Sequence, residues 1–342
     1  MWVKAGTAGS SVLGAPPRFW SAVFSAPPRL WSADSAGRGL SSPSPRSKQA
    51  CKTCTANRAK LDYPKFEINC YFCRQMEKPN QDIRLQVLIC TLGDEGIRRV
   101  AAACHPQVRQ VEYLVSWQLP EGDLPVPEAL QRPDFRIVKS YTRGLSRNRN
   151  AAIEAASAPL CLISDDDVIY NADNLQGIIR HFDENPETDI LTFRYASASE
   201  AKTYPDRPFP LDSPPKGYYA SSIEIAFRRD SIARKIRFNE NFGIGARFIA
   251  GEEDIFIYDA LRAGLSGRYI PFDIARHDDL STSARLYADP ALITAKGAVF
   301  THIHPASWPL RMLVHALRNI KNNNGISTFR YLKSWLNGAF SN

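Results

Sequence analysis

The sequence lacks a hydrophobic run that could cross a bilayer, because no segment approaches the roughly 18 consecutive apolar residues that a spanning helix needs. We therefore expect any membrane contact to be made by the protein surface. Acidic residues are absent from segment 305–342, which contains five Lys and Arg residues. Residues 76–342 as a whole balance 32 basic against 32 acidic side chains. A balanced charge of this kind is not typical of a domain that binds polyanions, so we expect no nucleic-acid partner for residues 76–342.

The domain organisation is predicted from length and local composition. With 342 residues, 44% of them hydrophobic, the chain is long enough for one α/β domain with appendages. Residues 1–50 are rich in Ser, Ala, Pro, Gly and Arg, a composition that is typical of a disordered extension or of a transit peptide. A further alternative is that the start codon is assigned too early and that the functional chain begins at Met76. We expect the globular domain over residues 82–304 and a separate basic tail over 305–342.

The seven cysteines fall into two groups. Four have the Cys-x₂-Cys-x₁₅-Cys-x₂-Cys spacing of a zinc site, namely Cys51, Cys54, Cys70 and Cys73. Segment 51–75 is therefore either zinc-binding or unstructured. Cys90, Cys104 and Cys161 lie in or beside predicted core elements, as buried thiols do in a reducing compartment. The expected localisation is cytoplasmic.

From Leu85 the pattern alternates short apolar strands with helices. Strands are predicted over 85–90, 111–117, 135–138, 160–164, 221–227 and 267–270, and helices over 95–104, 145–156 and 252–263. This alternation predicts an α/β fold with a mostly parallel central sheet flanked by helices. Ligands of such sheets bind where the carboxyl ends of the strands open into a crevice. Thr91, the loop after residue 117 and residues 165–167 follow such strands, so we expect them to line one pocket.

The most informative motif is the run of three aspartates, Asp165, Asp166 and Asp167, after the apolar strand 160–164. A sheet interior cannot hold uncompensated negative charge, so these carboxylates need water, a cation or both. Oxygen ligands favour Mg²⁺ or Mn²⁺, which keep several waters and bind nucleotide phosphates. An EF-hand is excluded, because Tyr170 and Gln176 stand where that loop requires glycine and glutamate. The remaining alternative is a solvated acidic turn.

Two further motifs precede and follow the aspartates. Residues 144–153, Gly-Leu-Ser-Arg-Asn-Arg-Asn-Ala-Ala-Ile, open a helix whose N-terminus and arginines suit a phosphate or nucleotide. Residues 251–256, Gly-Glu-Glu-Asp-Ile-Phe, begin a helix with clustered carboxylates behind a glycine. In this order the three motifs resemble the family-2 glycosyltransferases of the GT-A fold, bacterial type. The similarity runs from about Leu85 to Thr301.

The resemblance implies an inverting, metal-assisted transferase that moves a hexosyl or N-acetylhexosaminyl group from a nucleotide sugar. Its acceptor would be a saccharide or a lipid-linked glycan of the cell envelope. By this resemblance Asp165 and Asp167, the DxD motif, frame Mn²⁺ or Mg²⁺, and Asp166 lies at the sugar or ribose. Asp254 is the implied base, with Glu253 as a second acceptor contact. A carboxylate in that place removes the proton of the attacking hydroxyl.

The resemblance also implies contacts to the donor. Thr91 matches the family's polar residue near the uracil or ribose. His277 stands where relatives often place a residue near the metal, although a lone histidine is also compatible with a structural role. Arg147 and Arg149 are either nucleotide-sugar ligands or solvated helix charges. Many relatives read the base with an aspartate motif after the second strand, where this chain has Gln118. This departure counts against a direct transfer of the family's base contact, and Gln118 is expected to bond uracil in its place. The resemblance still implies UDP as the leaving nucleotide.

Two other functions are compatible with the sequence. A metal-dependent nucleotidyltransferase could use the same aspartates on a comparable sheet, but would not need residues 253 and 254 as an acceptor base. A zinc-anchored binding module with a degenerate catalytic domain would bind zinc and catalyse nothing. The presence of Asp165, Asp167 and Asp254 argues against degeneracy.

The tail has apolar and aromatic residues at roughly helical spacing from Trp308 to Phe340, with basic residues among them and a break at 322–325. Basic amphipathic helices of this kind lie on membrane interfaces. The tail therefore predicts peripheral contact with the cytoplasmic face of a membrane. The alternative is that these helices pack on the catalytic domain and cover its core.

Overall fold

The computed structural model describes residues 83–197, 202–277, 289–319 and 327–341. The extension before residue 83, which includes the predicted zinc cysteines, lies outside the described residues. So do residues 278–288, which follow His277.

An eight-stranded sheet forms the centre of the described chain. Its strands are β1 Leu85–Leu92, β2 Val111–Gln118, β3 Phe135–Ser140, β4 Leu160–Asp165, β5 Ile190–Ala196, β6 Phe209–Pro210, β7 Ile225–Arg228 and β8 Gly267–Arg276. The spatial order is β3-β2-β1-β4-β7-β5-β8-β6. Strands β1 to β4 pair in parallel, as do β5 and β8, whereas β7 runs antiparallel to β4 and β5. The predicted mostly parallel sheet is confirmed.

Helices cover both faces of the sheet. They are α1 Gly93–Ala102, α2 Leu145–Ala155, α3 Ala172–Glu184, α4 Arg229–Ile232, α5 Glu252–Arg262, α6 Pro290–Ile303, α7 Trp308–Asn319 and α8 Thr328–Phe340, with 3₁₀ turns at Glu128–Leu130 and Ser222–Glu224. Strand β1 shows the two faces directly, because Val87 lies in one buried apolar cluster and Leu88 in the other. Successive side chains of a strand point to opposite faces. A continuous apolar run therefore fills two cores at once.

The structure contains elements that the sequence pattern does not predict, notably α3, β5 and α6. Helix α3 does carry a usable signal, since Asn171 and Asn174 form a reciprocal capping box at its start. Helix α6 is buried over most of its circumference and so lacks the one-sided apolar stripe of a surface helix. The strand predicted over 221–227 is a 3₁₀ turn followed by the shorter β7.

The tail helix α8 packs directly on α6. Its inward side chains Tyr331 and Trp335 are buried in a third apolar cluster. Two glycines allow the close approach, because a Cβ on Gly297 would overlap the carbonyl of Trp335 and one on Gly338 would overlap that of Thr294. For α8 the structure supports packing on the domain. In the described parts of the chain, no helix is both long and apolar enough to cross a bilayer.

The α6–α8 contact yields a stability prediction. Gly338→Ala should lower the free energy of unfolding by about 1–3 kcal/mol, because the added methyl group forces two helix backbones apart. Urea denaturation followed by circular dichroism measures this change. Asn337→Ala, at the adjacent exposed position of α8, is the control and should leave stability unchanged or slightly higher. Equal stability of Gly338→Ala and the native chain would contradict the close packing.

Candidate active site

The carboxyl ends of β1, β2 and β4 bring the first predicted site residues together. In the parallel register Cys90 pairs with Asp165, and Leu92 pairs with Gln118. The Thr91 hydroxyl donates a hydrogen bond to Asp166 Oδ2 at 2.6 Å. The expected shared location of Thr91 and the aspartates is therefore observed.

Asp166 is fixed from two sides. Besides Thr91, it accepts from Arg99 of α1 through both carboxylate oxygens, with Nε to Oδ1 at 3.0 Å and Nη2 to Oδ2 at 3.1 Å. Such a bidentate pair has a defined geometry as well as charge complementarity. Gly96 makes room for it, because a Cβ there would overlap the Thr91 hydroxyl and lie 2.8 Å from Asp166 Oδ2. Sequence analysis missed Arg99, which lies 67 residues before its partner.

Asp167 lies beside His277, with His277 Nε2 3.2 Å from Asp167 Oδ1. His277 follows the last residue of β8, and its backbone N–H donates to the carbonyl of Ala196 at 3.0 Å. An imidazole nitrogen next to a carboxylate fits Mn²⁺ or Mg²⁺, since these ions take few protein ligands and complete their shell with phosphates and water. Among the described residues no three acidic, histidine or cysteine side chains form a closed metal cluster. The Asp167 carboxylate is an oxygen ligand of the kind that Mn²⁺ and Mg²⁺ prefer, and it would leave most positions around such an ion to a diphosphate and water.

Arg149 connects the aspartates to the second acidic motif. Its side chain on α2 is 1% exposed, and it donates from Nη1 to Glu252 Oε1 at 2.9 Å and from Nη2 to Asp165 Oδ1 at 3.2 Å. Burial alone disfavours the cation, but Asp165 and Glu252 outweigh it and hold the pKa of Arg149 above its usual value. Asp165 also faces Ser222, whose hydroxyl lies 3.5 Å from Oδ2. The structure thus places Arg149 in an ion-pair triad in which Arg149 and Glu252 are buried and Asp165 is partly exposed.

The first turn of α2 is held by the segment that precedes α5. The Leu145 N–H donates to the carbonyl of Ile244 at 2.9 Å, and the Ser146 hydroxyl donates to the carbonyl of Phe242 at 2.6 Å. Arg147 is half-exposed and pairs with Glu240 at 2.9 Å. These contacts place segment 238–248 over the N-terminus of α2.

Gln118 and Trp117 are both buried at the end of β2. The Gln118 amide donates to Thr142 Oγ1 at 3.0 Å and to the carbonyl of Gly144 at 3.3 Å. The Trp117 indole donates to the carbonyl of Gly93 at 2.8 Å. Trp117 therefore packs in the core, and Gln118 connects β2 to the loop that enters α2.

The N-terminus of α5 carries three consecutive carboxylates, Glu252, Glu253 and Asp254, behind Gly251 in the left-handed conformation. Burial raises the pKa of Asp254 to about 7, with nearby Lys296 opposing this rise and Glu252 adding to it. Burial, together with the charge of Glu252, also raises the pKa of Glu253 well above its usual range. A carboxylate with a pKa near neutrality is suited to accept a proton at physiological pH.

A second buried ion pair lies in the same region. Glu224 is fully buried and accepts from Lys202 Nζ and from the Tyr204 hydroxyl, each at 2.6 Å. Glu224 also accepts from the Ser221 N–H at 3.0 Å, as in a capping box. The spacing Ser221-x-x-Glu224 was therefore a sequence signal for this site. Lys296 of α6 is likewise buried, and burial lowers its pKa against the opposing charge of Asp254.

The family described as "Glycosyl transferase family 2" matches residues 125–252. The matched segment contains α2, the three aspartates and the first residue of α5. Over this segment the chain is similar to glycosyl transferase family 2, which supports the resemblance drawn from the three motifs. The α/β architecture agrees with the expected GT-A-like fold.

Several solved structures are similar at low sequence identity. S. aureus TarS 1–349 is 15% identical, over 75% of this chain and 89% of that chain, with a TM-score of 0.47. The same protein in complex with UDP-GlcNAc is 16% identical, over 75% and 73%, with a TM-score of 0.46. The mannosyltransferase PcManGT from Pyrobaculum calidifontis, in complex with GDP-Man and Mn²⁺, is 12% identical, over 78% and 74%, with a TM-score of 0.42. No curated protein matches the chain in sequence. Likeness of this order carries no donor, metal or acceptor over to this chain.

The Arg149 triad yields a prediction about stability. Arg149→Gln should lower the free energy of unfolding by about 3–5 kcal/mol, because it leaves the buried carboxylate of Glu252 without its cation. Chemical denaturation measures the change. Arg147→Gln makes the same substitution two residues earlier, in an exposed pair, and should cost less than about 1 kcal/mol. Adding Glu252→Gln to Arg149→Gln should restore part of the loss. Equal losses at both arginines would refute the buried triad.

Proposed function

We propose that this protein is a family-2 glycosyltransferase, an inverting enzyme that transfers a sugar from a nucleotide-sugar donor to a saccharide or lipid-linked acceptor. The observation that carries the proposal is the position of Arg149 between Asp165 and Glu252. It joins the motif suited to a diphosphate-bound metal to the motif suited to proton abstraction. The proposed catalytic domain spans residues 82–304.

On the donor side, Asp167 and His277 would hold Mn²⁺ or Mg²⁺, with Asp165 framing the site. When bound, the ion offsets negative charge on the departing diphosphate. We assign Asp166 to the ribose or donor sugar, where Arg99 fixes its carboxylate. Thr91 supports Asp166 from the end of β1. The side chains of Thr91 and the aspartates lie at one edge of the sheet.

Three further residues are assigned to the donor site, namely Arg149, Arg147 and Gln118. Arg149 would orient Asp165 instead of contacting phosphate, since its guanidinium is already bonded to two carboxylates. Arg147 is half-exposed at the start of α2, where exchange of Glu240 for a phosphate would keep its charge paired. Gln118 would shape the nucleotide pocket through its bonds to the loop before α2. UDP is the nucleotide to test first.

On the acceptor side, Asp254 is the proposed base and Glu253 the second contact. In an inverting transfer the acceptor hydroxyl attacks the anomeric carbon from the face opposite the leaving diphosphate. One carboxylate that takes the hydroxyl proton is sufficient for this step. Lys296 tunes this base electrostatically, because its charge opposes the rise in the pKa of Asp254.

A donor panel tests the reaction class. Thermal shifts are measured with UDP-sugars, GDP-sugars and nucleoside triphosphates, each with Mn²⁺, Mg²⁺ or EDTA, and products are then analysed. A nucleotide sugar should stabilise the protein only with metal, and turnover should release a nucleoside diphosphate. Release of pyrophosphate from a triphosphate would instead establish a nucleotidyltransferase. Absence of any metal-dependent shift would contradict the donor site.

The metal assignment predicts the behaviour of Asp167→Asn. The amide is isosteric, so the fold should persist while the Mn²⁺-dependent part of the donor affinity is lost. Isothermal titration with Mn²⁺ and with EDTA measures this part. Asp173→Asn, an exposed carboxylate on α3, is the control and should bind donor as the native protein does. Unchanged Mn²⁺-dependent affinity in Asp167→Asn would place the metal elsewhere.

The base assignment predicts that Asp254→Asn lowers kcat by on the order of 10²–10⁴-fold with donor affinity little changed. The native enzyme requires ionised Asp254, whose pKa is raised to about 7. Activity should therefore rise with pH through about 7, where half of Asp254 is ionised, and level off roughly one pH unit higher, and the variant should lose this limb. Steady-state rates across pH measure both effects. Loss of donor binding in the variant would make Asp254 a structural residue instead.

A further inference from the structure

Helix α7 is apolar on two opposite sides. Its inner side contributes Trp308, Met312 and Ala316 to the cluster shared with α6 and α8. Its other side carries Leu310, Leu313, Val314 and Leu317, which are 67%, 51%, 39% and 63% exposed. We call these four side chains the outer face of α7. Because the inner side already fixes the helix to the domain, the outer face is not needed for folding.

The outer face is a continuous stripe. Its members are spaced i, i+3, i+4 and i+7, which places them in a single row along the helix. Single exposed apolar residues are common on protein surfaces, but contiguous exposed aliphatic patches mark interaction sites. Helix α8 differs, because its Tyr331 and Trp335 point inward, and its large exposed apolar side chains are those near its two ends, Phe329 and Phe340.

The charge of this segment indicates which kind of surface it meets. Residues 305–342 contain five Lys and Arg residues and no acidic residue, whereas the rest of the domain does not share this excess. Arg311 lies next to the stripe on α7, and Arg330 and Lys333 are exposed on α8. Aliphatic side chains flanked by basic groups are complementary to the acyl and headgroup layers of an anionic bilayer.

We propose that the outer face of α7 inserts into the interface of an anionic membrane, with the basic side chains of the tail contacting lipid headgroups. The contact goes beyond the proposed transfer reaction and does not depend on it. It would hold the domain at a surface where lipid-linked acceptors are found.

Vesicle flotation of the full chain tests the proposal, without donor or metal. Vesicles of phosphatidylcholine with about a third phosphatidylglycerol should bind the protein at low salt, and pure phosphatidylcholine vesicles should bind it less. Leu310→Gln with Leu317→Gln should reduce binding roughly tenfold or more, because two apolar side chains no longer enter the interface. The melting temperature of this double variant should match that of the native protein, since both side chains face outward.

The matched control removes two apolar side chains of equal exposure elsewhere. Tyr141 and Ile244 are 65% and 67% exposed, and Tyr141→Gln with Ile244→Gln should bind vesicles as the native chain does. Single Leu313→Gln provides a second variant should the double change impair folding. No flotation at low salt, or equal loss in variant and control, would overturn the proposal. Light scattering that shows a dimer dissociated by Leu310→Gln with Leu317→Gln, without vesicle binding, would assign the outer face to a second copy instead.

Discussion

The buried guanidinium of Arg149 is the interaction on which the site depends. Three carboxylates at a strand end and three more at a helix N-terminus repel one another, and the interior cannot hold them uncompensated. Arg149 bonds one member of each group, at 3.2 Å and 2.9 Å. It therefore offsets the negative charge of Asp165 and Glu252, the member of each motif that lies next to it. The planar fork suits this bridging role, which the single ammonium group of lysine would not reproduce.

Backbone geometry supplies the rest of the arrangement. Parallel register places the ends of β1, β2 and β4 at one edge, so polar residues distant in sequence become neighbours. Glycines occur where elements approach closely. Gly96 lies against Thr91 and Asp166, and Gly297 and Gly338 lie at the contact between α6 and α8. The tail helices thus belong to the same packed structure as the candidate base, because α6 carries Lys296 on one side and contacts α8 on the other.

Sequence reasoning succeeds where a local pattern reflects a local cause. The apolar strands and the aspartates after β4 were predictable because an apolar run that ends directly in charged residues is visible within a few positions of the sequence. The partners of these residues could not be predicted, since Arg99 meets Asp166 across 67 residues and Arg149 meets Glu252 across 103. Helix α6 was missed because it is buried nearly all round. The tail illustrates both outcomes, since its helical spacing was predictable, but which side of each helix faces the domain was not.

We propose that the carboxylates linked by Arg149 form one site for inverting sugar transfer. Proton NMR of the product during turnover of an α-linked UDP-sugar with Mn²⁺ tests it most directly. If the site inverts, the first product formed should have the β configuration at the transferred anomeric carbon. A first product with the α configuration, or no sugar transfer from any nucleotide sugar, would contradict it.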